Sequence, residues 1–231
     1  MANVTIDSRG TYSAINTAAS PVTFTGLTIS GGLTNSALIV TLAWRIKTVS
    51  VTSVTWNGVS LALINSLQSA GTLGMVQLWG MVNPAAGNNN LVITWTGGAS
   101  NLIIDAESWS NVDQTGGVTS FPNSTTNSGT SITSTITINT TTGNACVALH
   151  CNTSDDAITA LSNTTLYINS AGPLFPESGA NDNNGSSGAS QTLTATWTSG
   201  STNWLAVGTD IKAFAAIGDT FGADQVQLLM M

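Results

Sequence analysis

Charged side chains are scarce in this 231-residue chain. They make up 6% of the sequence, against roughly 25% in ordinary soluble domains. Four Lys and Arg oppose eleven Asp and Glu, which gives a net charge of −7. Nucleic acids and anionic membranes are bound by clusters of Lys and Arg, so this composition argues against both as partners. A surface built from Thr, Ser, Asn and Gly instead suits close packing against other protein copies or against sugars.

Long hydrophobic runs are also missing. No apolar stretch approaches the ~20 residues of a membrane helix, so we expect no membrane span. The opening MANVTIDSRG has no basic segment followed by an apolar core. We therefore expect no secretory signal in this stretch.

Cysteine is limited to Cys146 and Cys151, which stand five residues apart in one apolar run. At ~3.3 Å per residue they fall on opposite faces of a strand, and farther apart than the ~7 Å that a disulfide tolerates between Cα atoms. We expect two buried free thiols. Free thiols fit assembly in a reducing cytoplasm better than oxidative secretion.

What the chain does contain is a two-residue apolar period broken by Gly and Asn turns. The apolar runs 91–96 and 102–109 flank Gly97-Gly98 and are predicted to form a hairpin. Asn57-Gly58 predicts a type I′ turn between two further strands. Residues 36–44 are almost continuously apolar, which is typical of a central strand covered on both sides. No helix longer than a turn or two is expected.

These patterns predict an all-β fold, an antiparallel β-sandwich of jelly-roll type. We divide the chain into an N-terminal arm or edge strand (1–20), a sandwich domain (21–214) and an apolar C-terminal tail (215–231). Residues 111–130 are interpreted as a long connection between two parts of the sandwich. Residues 171–190 are interpreted as a long exposed loop.

The region around Gly97 has an echo later in the chain. Leu91, Thr94, Trp95, Thr96, Gly98 and Asn101 recur 102 positions on, as Leu193, Thr196, Trp197, Thr198, Gly200 and Asn203. One explanation is that hairpins of this composition all look alike. The other is a pseudo-symmetric structure whose two halves close with equivalent hairpins.

Three short motifs carry a resemblance to a known kind of domain. They are VTWNG from Val54, LWGMVNPAAG from Leu78 and SNVDQ from Ser110. At these positions the sequence resembles a recurrent β-sandwich domain of bacterial surface proteins and phage structural proteins, including head decoration (cement) proteins. The resemblance covers residues 20–214. It implies a fold and a structural role, and it implies no catalytic residue.

Asp105 and Glu107 form the first candidate site, because they lie on one face of a predicted strand, roughly 7 Å apart. Paired carboxylates at about this separation perform glycoside hydrolysis. The ordinary alternative is a pair at the rim of the sheet, or a pocket shared with Arg45 or Lys47. The echoing positions, Val207 and Thr209, lack carboxylates, which favours the ordinary alternative.

A second candidate is a calcium loop at Asp182 and Asn184, with Asp155 and Asp156 as further ligands. The full motif is absent, because the closing bidentate Glu is replaced by Gln191. Asn-Gly-rich loops usually only turn the chain. We therefore expect no metal and no cofactor.

His150 is the only histidine, and a buried, hydrogen-bonded histidine is a better interpretation of it than a metal ligand. The seven tryptophans offer a sugar-stacking platform in principle. Most of them lie within predicted strands, so core packing is the better interpretation.

The function predicted from these features is non-enzymatic: a virion structural protein, a phage capsid decoration (cement) or accessory protein. It is expected to assemble in the host cytoplasm as a homo-oligomer, a trimer, and to contact the major capsid protein or another virion protein. The alternative is a carbohydrate-binding or adhesin module of a phage fibre or bacterial surface. The predicted partner-binding residues are in the apolar tail: Val226, Leu228, Leu229, Met230 and Met231.

Overall fold

The computed structural model describes residues 3–10, 13–45, 48–69, 74–98, 100–152, 158–162, 165–166, 178–183, 189–198 and 202–215. Within these ranges the chain is built from antiparallel strands and one turn of 3₁₀ helix. The predicted all-β, antiparallel sandwich architecture is therefore confirmed. Its jelly-roll type and the division at residues 20 and 214 stay predictions.

The first half of the chain contributes ten strands: β1 (Thr5–Arg9), β2 (Ser13–Ala18), β3 (Val22–Phe24), β4 (Ala37–Trp44), β5 (Ser50–Trp56), β6 (Val59–Ser60), β7 (Ala62–Gln68), β8 (Met75–Val82), β9 (Leu91–Thr96) and β10 (Ser100–Ser110). The second half contributes the 3₁₀ turn and eight strands: η1 (Gly117–Ser120), β11 (Thr125–Ser131), β12 (Thr133–Asn139), β13 (Ala145–Asn152), β14 (Ile158–Ser162), β15 (Thr165–Leu166), β16 (Ser178–Asn183), β17 (Ser190–Trp197) and β18 (Thr202–Ile211).

These strands form four sheets, two from each half. The N-outer sheet has the order β3-β9-β5-β6, and the N-inner sheet has the order β1-β10-β4-β8-β7, with β2 also on β10. The C-inner sheet has the order β11-β18-β13-β16-β15, and the C-outer sheet has the order β12-β17-β14. The first twenty residues therefore supply edge strands of the N-inner sheet.

Three apolar cores hold the four sheets together in a stack. The N core lies between the N-outer and N-inner sheets, and the C core lies between the C-inner and C-outer sheets. The central core joins the two inner sheets, since it contains side chains from both: Ile39, Leu78, Ile103, Trp109, Val147, Leu149 and Val207. The layers therefore run N-outer, N-inner, C-inner, C-outer.

The inner strands are buried on both faces, and this explains their continuous apolar sequences. All eight residues of β4 and all eight residues of β13 are buried. Alternate residues of β4 enter different cores: Ile39 faces the central core, and Leu38 and Val40 face the N core. The prediction of a central, doubly covered strand at 36–44 is confirmed.

The predicted hairpin at Gly97-Gly98 is wrong. β9 pairs with β3 and β5 in the N-outer sheet, whereas β10 pairs with β1, β2 and β4 in the N-inner sheet. The chain therefore arches across the N core at the two glycines instead of turning back within one sheet. The physical reason is burial. β9 has one buried face, which suits an outer sheet, whereas β10 has two buried faces, which suits an inner sheet.

The echo at an offset of 102 residues reflects a repeated topology. The order β11-β18-β13-β16-β15 repeats β1-β10-β4-β8-β7, and β12-β17-β14 repeats β3-β9-β5. The echoing pairs β9/β10 and β17/β18 occupy equivalent places, and in each pair the two strands belong to different sheets. Equivalent sheets of the two halves face each other across the central core, as in an isologous dimer interface.

Two local predictions have different outcomes. Asn57 and Gly58 both have positive φ (49° and 79°), and Trp56 pairs with Val59 across them, so the type I′ turn is confirmed. The long exposed loop at 171–190 is wrong in part, because strand β16 lies within it and pairs with β13. The sequence of this strand is polar and has no two-residue apolar period, so it does not predict a strand.

The predicted connection at 111–130 is wrong in part, because strand β11 begins at Thr125 and pairs with β18. The connection that precedes β11 is tied to the end of the chain's last strand. Val112 bridges to Ala213, and the Lys212 ammonium lies 3.1 Å from an Asp113 carboxylate oxygen. Phe121 is buried in the central core. Its ring occupies the space above Gly80, where an added Cβ would come within 2.7 Å of it.

Candidate functional site

The carboxylates of Asp105 and Glu107 lie in the interior of the stack. Each is 1% exposed, and they share the face of β10 from which Ile103 and Trp109 enter the central core. Asp105 pairs in register with Thr41, and Glu107 pairs with Arg9. The expected position at a rim is therefore wrong, and a glycan chain does not reach this pair.

The expected pocket shared with Arg45 or Lys47 also finds no support. Arg45 is exposed, whereas both carboxylates are buried beneath the C-inner sheet. Lys47 lies outside the described residues. Burial on this scale keeps both carboxyl groups away from solvent, which favours a structural role for the pair.

A third buried acid, Asp210, was not singled out from the sequence. It is 1% exposed and accepts hydrogen bonds from the Thr140 hydroxyl and the Asn144 amide, both at 2.7 Å. Burial raises the pKa of Asp210 to about 6, although hydrogen bonds from Thr140, Asn144 and Asn123 act in the opposite direction. Asn144 in turn accepts a hydrogen bond from the Ala213 backbone N–H at 2.8 Å. This cluster closes one end of the C core.

Cys146 pairs in register with Asp210, and both cysteines are free and buried. Burial raises the pKa of the Cys146 thiol to about 12, and the charge of Asp210 adds to this effect. Cys146 faces the C core and Cys151 faces the central core. The expectation of two buried free thiols on opposite strand faces is confirmed, and the raised pKa makes Cys146 a poor nucleophile.

His150 is fully buried, and its Nδ1 lies 2.7 Å from the Ser134 hydroxyl. The interpretation as a buried, hydrogen-bonded histidine is confirmed. It faces the C core from the middle of β13, two positions from Ala148.

The proposed calcium ligands are not brought together as a loop. Asp182 lies within strand β16, paired with Val147 and Thr165, so the loop reading of this residue is wrong. Asn184, Asp155 and Asp156 lie outside the described residues. Across the part of the chain that the structure describes, no group of three or more His, Cys, Asp and Glu side chains is placed to hold a metal ion.

All seven tryptophans are buried, with exposures between 0% and 8%. Trp44 and Trp95 pack edge to face in the N core, with ring centroids 4.7 Å apart. The interpretation of the tryptophans as core residues is confirmed. None of them presents a ring face to solvent for sugar stacking.

The described part of the surface contains a polar depression of about 390 Å³, which we call the Asn-lined depression. Its floor is the outward face of the N-outer sheet, where Thr55 and Val92 stand directly opposite each other. Its walls are two turns rich in asparagine: Asn57-Gly58 and Asn88-Asn89-Asn90. Each turn is visible in the sequence as a turn, but their convergence is not.

The outward face of the C-outer sheet carries a second regular polar surface. Thr133, Thr135 and Thr137 of β12 stand opposite Thr196, Thr194 and Thr192 of β17. Hydroxyl pairs across the strands are 3.3 Å apart for Thr133 with Thr196 and 3.0 Å apart for Thr137 with Thr192. This face is neutral and rich in hydroxyl groups.

Comparisons of the chain with protein-family models, with curated proteins and with solved structures return no match. Among the described residues no helix has the length and apolar character needed to cross a membrane. The predicted partner-binding residues of the tail, Val226, Leu228, Leu229, Met230 and Met231, lie outside the described residues.

Proposed function

We propose that the chain is a virion structural protein, a phage capsid decoration or accessory protein that acts through protein contacts. In this role it forms a homo-oligomer, a trimer, and binds the major capsid protein or another virion protein. The localisation that follows is the virion, after assembly in the host cytoplasm.

The observation that carries the proposal is the combination of a four-layer stack with neutral outer faces. Such outer faces, with 6% charged residues in the whole chain, bring few charges that must lose water on contact. Short Thr, Ser and Asn side chains also lose less conformational entropy in an interface than Lys, Glu or Gln. Both properties lower the cost of packing many copies side by side.

The energy for binding would come from buried apolar area. Standard interfaces bury about 1,600 Å² in total, and each Å² of apolar surface contributes roughly 25 cal/mol before association costs. The last seven residues of the apolar tail, 225–231, are the proposed source of that area. Neighbouring copies or other virion proteins would cover these apolar side chains in the particle.

The test is the mass of the purified chain in solution. We expect light scattering to give a multiple of the 23.5 kDa chain mass, and a deletion of residues 225–231 to reduce it to one chain. The variant L228S/L229S keeps the length of the tail and should have the same effect, which separates apolar contact from chain length.

The fold serves as the control, because tryptophan fluorescence reports the buried rings and should be unchanged in both variants. Cosedimentation with capsids built from a major capsid protein encoded beside this chain tests the partner. A full-length chain that stays a monomer at high concentration, or a truncated chain that still binds capsids normally, contradicts the proposal.

The alternative function, a carbohydrate-binding or adhesin module, has one observation in its favour. This is the Asn-lined depression, since the buried tryptophans offer no platform for a sugar.

A further inference from the structure

The Asn-lined depression is formed by two turns that are fixed to one another. The Asn57 backbone N–H donates to the Asn90 carbonyl at 3.0 Å, which joins the β5–β6 turn to the loop before β9. Beneath them, the Trp56 indole N–H donates to the Ala85 carbonyl at 2.8 Å. The Asn89 amide donates to the carbonyls of Ala85 and Ala86, at 3.3 Å and 3.0 Å.

These bonds hold the walls of the depression in one arrangement before any ligand binds. Preorganised walls lower the entropy that a ligand must overcome on binding. Asn57 contributes to this arrangement through its left-handed backbone, with φ of 49°, a conformation that asparagine adopts more readily than most residues.

The side chains of Asn57, Asn88 and Asn90 are exposed and lie around the opening. They take no part in the hydrogen bonds within the described part of the chain, whereas Asn89 is used to fix its own loop. Each free amide offers one acceptor and two donor hydrogens. The depression therefore presents several neutral donors and acceptors that converge on one space.

The floor adds one hydroxyl and one apolar patch. Thr55 and Val92 are neighbours on adjacent strands of the N-outer sheet, and both are half-buried. A sugar ring has the same mixture of groups, with hydroxyls around its edge and C–H bonds on its faces. The volume of about 390 Å³ lies in the ordinary range for small-molecule sites, roughly 300–1,000 Å³.

From these observations we infer that the Asn-lined depression is a binding site for a neutral sugar unit, held by amide and hydroxyl hydrogen bonds over a small apolar floor. No charged residue lines it, which disfavours phosphate, sulfated sugars and metal ions as ligands. The inference does not rest on the proposed virion role. A decoration protein and a surface module both have use for a glycan site.

The experiment uses the full chain on an array of neutral glycans that end in glucose, galactose, mannose or N-acetylglucosamine, beside sialylated and sulfated glycans. A glycan that binds is then titrated free in solution and followed by ligand-observed NMR. We expect saturable binding of a neutral glycan, with no preference for charged ones.

The variant N88A/N90A removes two amides without changing the backbone of either turn. Because each lost neutral hydrogen bond weakens binding several-fold, we expect about a tenfold or larger rise in Kd. Thr55→Val, which replaces the hydroxyl by a methyl group of similar size, should weaken binding less. Asn139→Ala is the matched control, since Asn139 is an exposed asparagine at the end of β12 in the opposite outer sheet, and it should bind like the wild type.

The inference is overturned if no neutral glycan binds in either assay, if only charged glycans bind, or if N88A/N90A binds as tightly as Asn139→Ala. The chain that lacks residues 225–231 should keep glycan binding. If this truncated chain loses its oligomers but still binds the glycan, the result supports the glycan site. That support does not depend on whether the virion role is correct.

Discussion

Asp210 is a carboxylic acid held away from water by the C core, and its titration couples to folding. Its pKa rises from 3.8 to about 6 on burial, so the folded chain keeps a proton that the unfolded chain has released between about pH 4 and pH 6. The unfolded state then binds fewer protons, and the free energy of unfolding falls as the pH rises through this window. Above about pH 6, the contribution of Asp210 to the free energy of unfolding no longer changes with pH.

We predict that Asp210→Asn removes this fall in the free energy of unfolding with rising pH. Near pH 4 the variant and the wild type should have similar stability, and by pH 7 the variant should gain on the wild type by at most about 3 kcal/mol, at ~1.4 kcal/mol per pKa unit. Urea unfolding at a series of pH values gives the difference. Parallel curves for the two proteins between pH 4 and pH 7 would show that Asp210 does not titrate in this way.

At the scale of single residues, the sequence was informative where one property decides the outcome. Apolar or aromatic character placed the tryptophans and both cysteines correctly in the cores. The sequence was misleading for Asp105 and Glu107, because a pair of carboxylates is expected at the surface unless the sheet that covers them is known. It also missed the Asn-lined depression, since Asn57 and Asn88 are brought together only by the pairing of β5 with β9.

The arch between β9 and β10 depends on a pair of glycines that differ in their surroundings. Both have positive φ, 103° at Gly97 and 90° at Gly98. A Cβ at Gly97 would lie 2.2 Å from the Thr48 carbonyl oxygen, whereas a Cβ at Gly98 meets nothing within 4 Å. The two positions therefore separate the cost of backbone conformation from the cost of a clash.

We predict that Gly98→Ala lowers the free energy of unfolding by about 1–2 kcal/mol, the cost of positive φ in a residue with a Cβ. Gly97→Ala has the same conformational cost and must also displace the backbone at Thr48. Its free energy of unfolding should therefore fall by about 1–3 kcal/mol more than that of Gly98→Ala. Guanidinium unfolding of both variants measures this. Equal losses would mean that the arch moves freely away from Thr48.

The elements themselves were largely predictable, and their partners were not. The strands at 36–44 and 91–96 follow from their apolar residues, and the turn at Asn57-Gly58 follows from its dipeptide. The arch at Gly97-Gly98 is predicted as a hairpin from the sequence, because a short Gly-rich connection fits both a hairpin and an arch. Only the difference between one buried face in β9 and two in β10 distinguishes them, and that difference becomes decisive once a second sandwich exists to cover β10.

On the scale of the whole molecule, the central core makes each half dependent on the other. Leu149 is 1% exposed and lies in this core with Ile39 and Ile103 of the first half. A large-to-small substitution here costs about 2–5 kcal/mol. Because the two inner sheets share the core, this substitution should lower the stability of both halves.

The distribution of tryptophans allows a direct test. Five lie before residue 110, and only Trp197 and Trp204 lie in the second half. In a W197F/W204F background, the tryptophan fluorescence comes only from the five tryptophans of the first half. We predict that Leu149→Ala, a change in the second half, lowers the denaturant midpoint of that signal. An unchanged midpoint would mean that the halves unfold independently.

The facing of like sheets has a further consequence for how the molecule responds to dilution. Two separate copies of one sandwich, meeting through the same surface, would dissociate once their concentration fell below the Kd of the pair. Joined in one chain, each sandwich meets its counterpart at a local concentration set by the linker, and dilution does not alter it. The stack therefore keeps its shape even when a single copy of the chain is present.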